Sequence, residues 1–221
     1  MRFLKGTFPA IALIFLCQFA IPAKAADNPT TKHAEKEAFA RSFAQTVLAI
    51  IQDPKKSYGD RKDVLRTAFA QSVDIDWIAR FVLGKSWATA TNEQKERYVS
   101  LYRRYLTEAY VANFAENPDK RIRDIKIFGV NDSDGEADDN NFTVRTQMML
   151  ADMENLQVNY LVREEGGSYK VRDIAIENVS LIATHRSEFT EIAVSKGLDG
   201  VISELEERIN HSGSNITLSM N

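Results

Sequence analysis

Phe142-Thr143-Val144-Arg145-Thr146-Gln147-Met148-Met149-Leu150 and, after a short gap, Leu156-Gln157-Val158-Asn159-Tyr160-Leu161-Val162 are the stretches whose reading decides the fold. In the first, Phe142, Val144, Thr146, Met148 and Leu150 take every second position, and in the second Leu156, Val158, Tyr160 and Val162 do so. A period of two puts each set on one face of a strand. Ile125 and Ile127 begin the same pattern upstream, and Tyr169 to Ile176 continues it downstream with a change of phase near Asp173, as a bulge would cause. Links as short as Asp152 to Glu154 and Gly166-Gly167 leave no room for a crossover. The four strands therefore form an antiparallel meander.

Outward from the sheet the period is helical. Upstream, Phe39, Phe43, Val47, Leu48 and Ile51 recur at helical spacing over residues 38–51, before Pro54 and Gly59. Two short helices follow, over residues 60–69 and 73–83, the second with Ile75, Ile78, Ala79 and Val82 on one side and Gly84 as its stop. The longest helix starts after Thr91, which has capping-box spacing to Gln94, and runs to about Glu116 before Pro118. Its apolar stripe is rich in tyrosine, with Tyr98, Tyr102, Tyr105 and Tyr110. Downstream of the sheet, residues 180–194 form a helix ending at Gly197, and residues 199–209 form another. The expected fold is α+β, with a helical N-terminal half, a curved four-stranded meander packed on the long helix, and C-terminal helices. Such a sheet over a helix makes a cone, which is either filled by side chains or left partly hollow.

At the N-terminus, Arg2 and Lys5 precede an apolar run from Phe8 to Ile21 and the triplet Ala23-Lys24-Ala25. This is the pattern of a cleaved secretory signal over residues 1–25, and the run is shorter than the ~20 residues of a spanning helix. Residues 26–36 read as a flexible leader, 37–210 as one domain and 211–221 as a flexible tail. Cleavage removes Arg2, Lys5, Lys24 and Cys17, the only cysteine, leaving 25 basic and 31 acidic residues, a net charge of −6. An exported chain without cysteine relies on its core, not on disulfides. An acidic chain without a basic stripe is not built for nucleic acid, and charge alone does not bring it to anionic lipid.

Catalytic and metal patterns are poorly supplied. The segment Asn131 to Asn140 is acidic, but counted from Asp132 the sixth and twelfth positions lack the Gly and Glu of a calcium loop, and it reads as a solvated turn. Of the histidines, His33 and His211 fall near the ends; His185 is read as a surface residue, leaving no set of three converging zinc ligands and no triad. A cone can host proton-transfer chemistry with a buried carboxyl and a tyrosine, but the inward set of the sheet offers no carboxylate. No catalytic residue, metal or cofactor is expected. The tyrosine stripe fits plain core packing equally well as it fits one wall of a pocket, whose other wall would hold Met148, Leu150 and Tyr160.

Two blocks of sequence go further. Phe81-Val82-Leu83-Gly84-Lys85-Ser86-Trp87, then Ala90-Thr91-Asn92-Glu93-Gln94 and Tyr102-Arg103-Arg104-Tyr105-Leu106, make the first. The second is Val171-Arg172-Asp173-Ile174, Glu177-Asn178-Val179-Ser180-Leu181-Ile182, Arg186-Ser187-Glu188-Phe189 and Gly197-Leu198-Asp199-Gly200-Val201. Together they resemble the MlaC family of periplasmic phospholipid-binding proteins, also called toluene-tolerance proteins. The acidic segment Asn131 to Asn140 and Ser86 depart from the family pattern, and a hopanoid-associated branch shares much of it.

The resemblance implies an exported, non-enzymatic carrier that shuttles phospholipid between an MlaA–porin complex in the outer membrane and an MlaD-containing ABC transporter in the inner membrane. It places the acyl chains in an apolar cavity and leaves the headgroup in water. The alternatives are a hopanoid or other hydrophobic-ligand binder, and a cone-fold enzyme on a hydrophobic substrate. Two chains of about fifteen carbons, at about 0.8 kcal/mol per methylene, need apolar surroundings that contribute roughly 24 kcal/mol. The expected lining is Ile78, Phe81, Val82 and Trp87 from the front helices, Tyr98, Tyr102 and Tyr105 from the long helix, and Val144, Met148, Leu150, Val158, Tyr160 and Val162 from the sheet.

Overall fold

The computed structural model describes residues 29–53, 55–115, 122–132, 140–151 and 154–211. The signal segment, the turn at 133–139 and nearly all of the tail lie outside the described residues. The helices are α1 (Pro29–Ile51), α2 (Tyr58–Ser72), α3 (Ile75–Leu83), α4 (Lys85–Thr89), α5 (Asn92–Ala115) and α6 (Leu181–His211). Between α5 and α6 lie β1 (Ile122–Asp132), β2 (Asn141–Leu150), β3 (Leu156–Glu165), β4 (Ser168–Ile176) and β5 (Val179–Ser180), in that order across one antiparallel sheet. The α+β class and the meander are as the sequence leads one to expect.

Local signals act where they were read. Thr91 and Gln94 exchange capping hydrogen bonds, the Gln94 amide donating to the Thr91 hydroxyl at 3.2 Å and the Thr91 amide to the Gln94 side-chain oxygen at 3.1 Å. Gly84 ends α3 with φ 56 and ψ −126, and a Cβ there would stand 3.4 Å from the Arg186 guanidinium. Gly197 bends α6 at φ 71, between the two tail helices of the sequence reading. In β4, Val171 pairs with Val162 and Asp173 with Leu161, so Arg172 is the extra residue of the expected bulge.

Four expectations change. The leader is helical: α1 starts at Pro29, inside residues 26–36, and Lys36 in that segment is buried, because its ammonium finds the Asp132 carboxylate. The sheet has a fifth strand, too short to show alternation, joined to β4 through Glu177 and Asn178, both at positive φ as a tight hairpin demands. The meander packs on α1; α5 packs chiefly on α2, α3 and α6. A helical stripe fixes which face of a helix is apolar but not which partner covers it.

His185, finally, is buried. Its Nδ1 lies 3.0 Å from the Tyr102 hydroxyl, and its ring meets Tyr105 and Phe189 edge-on or tilted. His185 sits one turn from Phe189, on the inward side of α6.

Two cores result. One joins α3, α5 and α6 through Val82, Leu83, Tyr98, Tyr102, Phe189, Val201 and Leu205. The other joins α1 to the inner face of the sheet through Ala40, Phe142, Val144, Val158, Tyr160, Val162 and Val171. The seam between them is the short run Val73-Asp74. The Asp74 amide donates to Val171 O at 2.9 Å, and Val73 makes a parallel bridge to Val171. The Asp74 carboxylate caps α3 at the Trp77 amide (3.3 Å) and receives Arg172 Nε at 2.8 Å, while the Arg172 guanidinium lies over the Trp77 ring at 4.6 Å.

Two outcomes follow from this packing. Asp74→Ala removes a helix cap and leaves the largely buried Arg172 without its carboxylate, so it should cost about 3 kcal/mol in a urea titration. His185 is held below its ordinary value of 6.5, first by burial and further by Arg208, against the opposing pull of Glu188 and Asp173. The folded protein therefore prefers neutral imidazole, whereas the unfolded chain takes up a proton near pH 6.5. Stability should be full above that pH and fall as the pH drops from it through the folded value; His185→Gln should flatten this part of the profile measured between pH 8 and 5.

Candidate functional site

The inner face of the meander is apolar because its alternating positions are, and α1 supplies the cover. α1 runs antiparallel along β1. Near its N-terminal end Lys36 pairs with Asp132, the last residue of β1. Just past its C-terminal end, the Gln52 amide donates to Arg123 O at 2.9 Å and Ile122 O at 3.3 Å, at the start of β1. Between these pins the helix presents Phe39, Ala40, Phe43 and Ala44 to the sheet. Ala40 and Ala44 lie one turn apart and, lacking bulk, leave a recess where larger residues would touch the strands.

That recess is lined by Phe39, Ala40, Phe43 and Ala44 from the helix and by Ile125, Val144, Thr146, Tyr160, Val162 and Val171 from the sheet. Its polar groups face each other. The Thr146 hydroxyl donates to Val158 O at 2.7 Å, and the Tyr160 phenol, raised well above its ordinary value by burial, is held against the Thr146 side chain. Phe43 meets Tyr160 edge-on with ring centres 5.8 Å apart. At the Lys36 end, Phe39, Phe142 and Tyr169 form an aromatic cluster, with Phe39 and Tyr169 centred 4.7 Å apart and Phe142 and Tyr169 5.6 Å apart. With α1 seated, the recess has a volume of ≈ 10 Å³, room for about one water.

The thirteen residues expected to line one cavity are divided by the fold. Val144, Tyr160 and Val162 line the recess beneath α1, and Met148, Val158 and Leu150 belong to the same core. Ile78, Val82, Tyr98, Tyr102 and Tyr105 lie in the all-helical core, where the Tyr98 hydroxyl donates to Ala79 O at 3.0 Å. Phe81 and Trp87 sit at the edge of that core under cations, Arg186 over Phe81 at 4.5 Å and Arg80 and Lys95 over Trp87 at 5.3 and 5.4 Å. Trp87 also borders an open groove of ≈ 500 Å³ with Asp76, Arg80, Lys95, Glu96 and Arg103, whose charged rim does not exclude water.

The sequence reading missed the contribution of α1. Phe39 and Phe43 were legible as a helical stripe, yet nothing in the spacing linked that stripe to the strands. Ala40 and Ala44 gave no signal at all, since an alanine in a helix is commonplace.

The arrangement offers an apolar slot between a single helix and an apolar sheet face, and among the described residues no nucleophile held against a base, paired acid and base or metal-ligand set lines it. Such a slot can sequester hydrocarbon. Comparison with solved structures gives the same fold in the phospholipid-binding protein from Ralstonia solanacearum, solved in complex with a phospholipid: the TM-score is 0.65, with 22% sequence identity over 80% of this chain and 98% of that one. The family model described as MlaC protein matches residues 41–207, a span from the middle of α1 to the last turns of α6. The chain belongs to the MlaC protein family.

Proposed function

We propose that this chain is a periplasmic phospholipid carrier, not an enzyme, and that the acyl chains lie between α1 and the inner face of the sheet. The observation that carries the reading is the recess beneath α1, apolar on both walls, in a chain of the MlaC family. The fold it shares with a protein solved in complex with a phospholipid supports the same ligand class.

The recess is closed in this structure, so loading requires α1 and the sheet to part. Two apolar layers that separate in water would each lose the transfer free energy of their side chains, about 2 kcal/mol for a residue such as Phe43 or Val144. Hydrocarbon sliding between them removes this cost, because each layer then contacts chain instead of its former partner. What is lost is the pins at the ends of α1. The Gln52 hydrogen bonds contribute about 1 kcal/mol each and the Lys36–Asp132 pair about as much, while the chains exchange one apolar environment for another. A single helix held chiefly at its two ends is thus suited to rise by the thickness of a chain and settle again.

The N-terminal sequence fits export to the periplasm, and the family resemblance implies shuttling between two membrane complexes, MlaA with its porin and the ABC transporter containing MlaD. A soluble intermediary between them needs to recognise chains, not to cut or modify them.

Organic extraction of the purified mature protein should yield phospholipid at about one per chain. Val144→Glu puts an unpaired charge in the slot and should reduce bound lipid at least about tenfold with the far-UV spectrum unchanged. Tyr98→Phe, in the other core, should lower stability by about 1 kcal/mol and leave bound lipid as it was. Undiminished lipid in Val144→Glu, or loss of lipid in Tyr98→Phe, would place the chains elsewhere; a polycyclic lipid in the extract would favour the hopanoid alternative.

A further inference from the structure

Lys36 is the one charged residue on the buried stripe of α1. It precedes Phe39 and Ala40 by a single turn and is 4% exposed. Its ammonium lies over the Phe142 ring, 5.1 Å from the centre, and pairs with Asp132, whose own side chain is 65% exposed. Phe142 is in the core of the sheet and is flanked by Phe39 and Tyr169. Burying an ammonium costs more than one solvated carboxylate returns, and a methionine of the same length would pack on these rings at no such cost. Packing alone therefore does not account for a lysine here.

A headgroup has two ends of the slot to choose between. Chains that enter beneath Phe39 and Phe43 toward Val144, Tyr160 and Val162 must leave their glycerophosphate at one end of α1 or the other. The Gln52 end offers two backbone carbonyls already accepting hydrogen bonds and the exposed side chain of Arg123. The Lys36 end offers an ammonium that is already desolvated, one turn before the Phe39 and Ala40 that line the slot. A phosphodiester is acceptor-only and singly negative, the same demand that Asp132 now meets.

We propose that Lys36 binds the phosphate of the carried phospholipid, exchanging the Asp132 carboxylate for the phosphodiester as the chains enter beneath α1. The inference rests on the carrier reading and deepens it, by naming the headgroup atoms recognised and the residue that recognises them. Two further carboxylates, Glu35 and Glu164, lie close enough to Tyr169, which packs on Phe142, to help burial push its phenol up to about 12. A zwitterionic headgroup, with phosphate toward Lys36 and ammonium toward these acids, fits this end better than one whose net charge is negative.

The test compares lipids with identical chains. Delipidated mature protein is titrated with phosphatidylethanolamine and with diacylglycerol, which lacks the phosphate, and inorganic phosphate is added as a competitor. Wild type should bind phosphatidylethanolamine about tenfold more tightly than diacylglycerol, and Lys36→Met should bind the two alike while keeping its affinity for diacylglycerol. Asp132→Asn, which leaves Lys36 in place without its competing carboxylate, should bind phosphatidylethanolamine more tightly than wild type. A preference that survives in Lys36→Met, or unchanged or weaker binding in Asp132→Asn, overturns the proposal. So does inorganic phosphate that binds wild type, and not Lys36→Met, as tightly with phosphatidylethanolamine loaded as without it, since Lys36 would then serve a free anion. Equal binding of both lipids by wild type ends this inference and leaves the carrier reading standing, whereas binding of neither lipid ends the carrier reading itself.

Discussion

An antiparallel sheet whose alternate residues are Phe142, Val144, Met148, Val158, Tyr160 and Val162 has one face that water does not tolerate, and everything else in this molecule is arranged around how that face is covered. The cover here is α1. It meets the strands with Phe39 and Phe43, each followed by an alanine, so its contact is tight at the rings and shallow beside them. The helices α2, α3, α5 and α6 form a separate core of their own and leave the inner face largely to α1. A face covered by one helix, in place of a layer of several, can be uncovered by moving that one helix.

Stability and adaptability are divided between the two cores accordingly. The all-helical core is built from large, fully buried side chains, with tyrosine hydroxyls satisfied by Ala79 O and His185. It is tied to the sheet by Asp74, Arg172 and Trp77, where a helix cap, an ion pair and a cation over an indole share one residue cluster. Arg66 grips Glu108 through Nε and Nη2 and fixes α2 to α5. Toward this frame α1 contributes Ile50, near its C-terminal end, packed with Leu65 of α2 and Val111 of α5, while its polar pins lie on β1. A rigid helical frame beside a sheet with a single detachable cover is what a protein requires if it is to accept a hydrocarbon guest without unfolding.

Charge is distributed to the same end. The walls of the slot carry none, and the ionisable groups gather at its Lys36 end, where the buried ammonium, the exposed Asp132 and the aromatic cluster of Phe39, Phe142 and Tyr169 meet. The interior of the slot favours chains over anything hydrated, and its end favours something polar. That division matches an amphiphile more closely than it matches a plain hydrocarbon or a polycyclic lipid.

The strand and helix periods, the cap at Thr91, the stops at Gly84 and Gly197 and the bulge near Asp173 are properties of neighbouring residues, and the sequence by itself determined them. It determined the family as well, through two separated blocks of residues. It did not determine that the tyrosines of α5 would face His185 and Phe189 of α6 while the phenylalanines of α1 faced the sheet. Both stripes are apolar, and a hydrophobic face carries no record of its partner; that choice is made by the order in which helices of fixed length fill the space beside the strands. The burial of Lys36 belongs to the same class. A lysine in a polar N-terminal segment reads as solvated until the fold brings Asp132 and Phe142, nearly a hundred residues away, within its reach, and only the tertiary structure decides that.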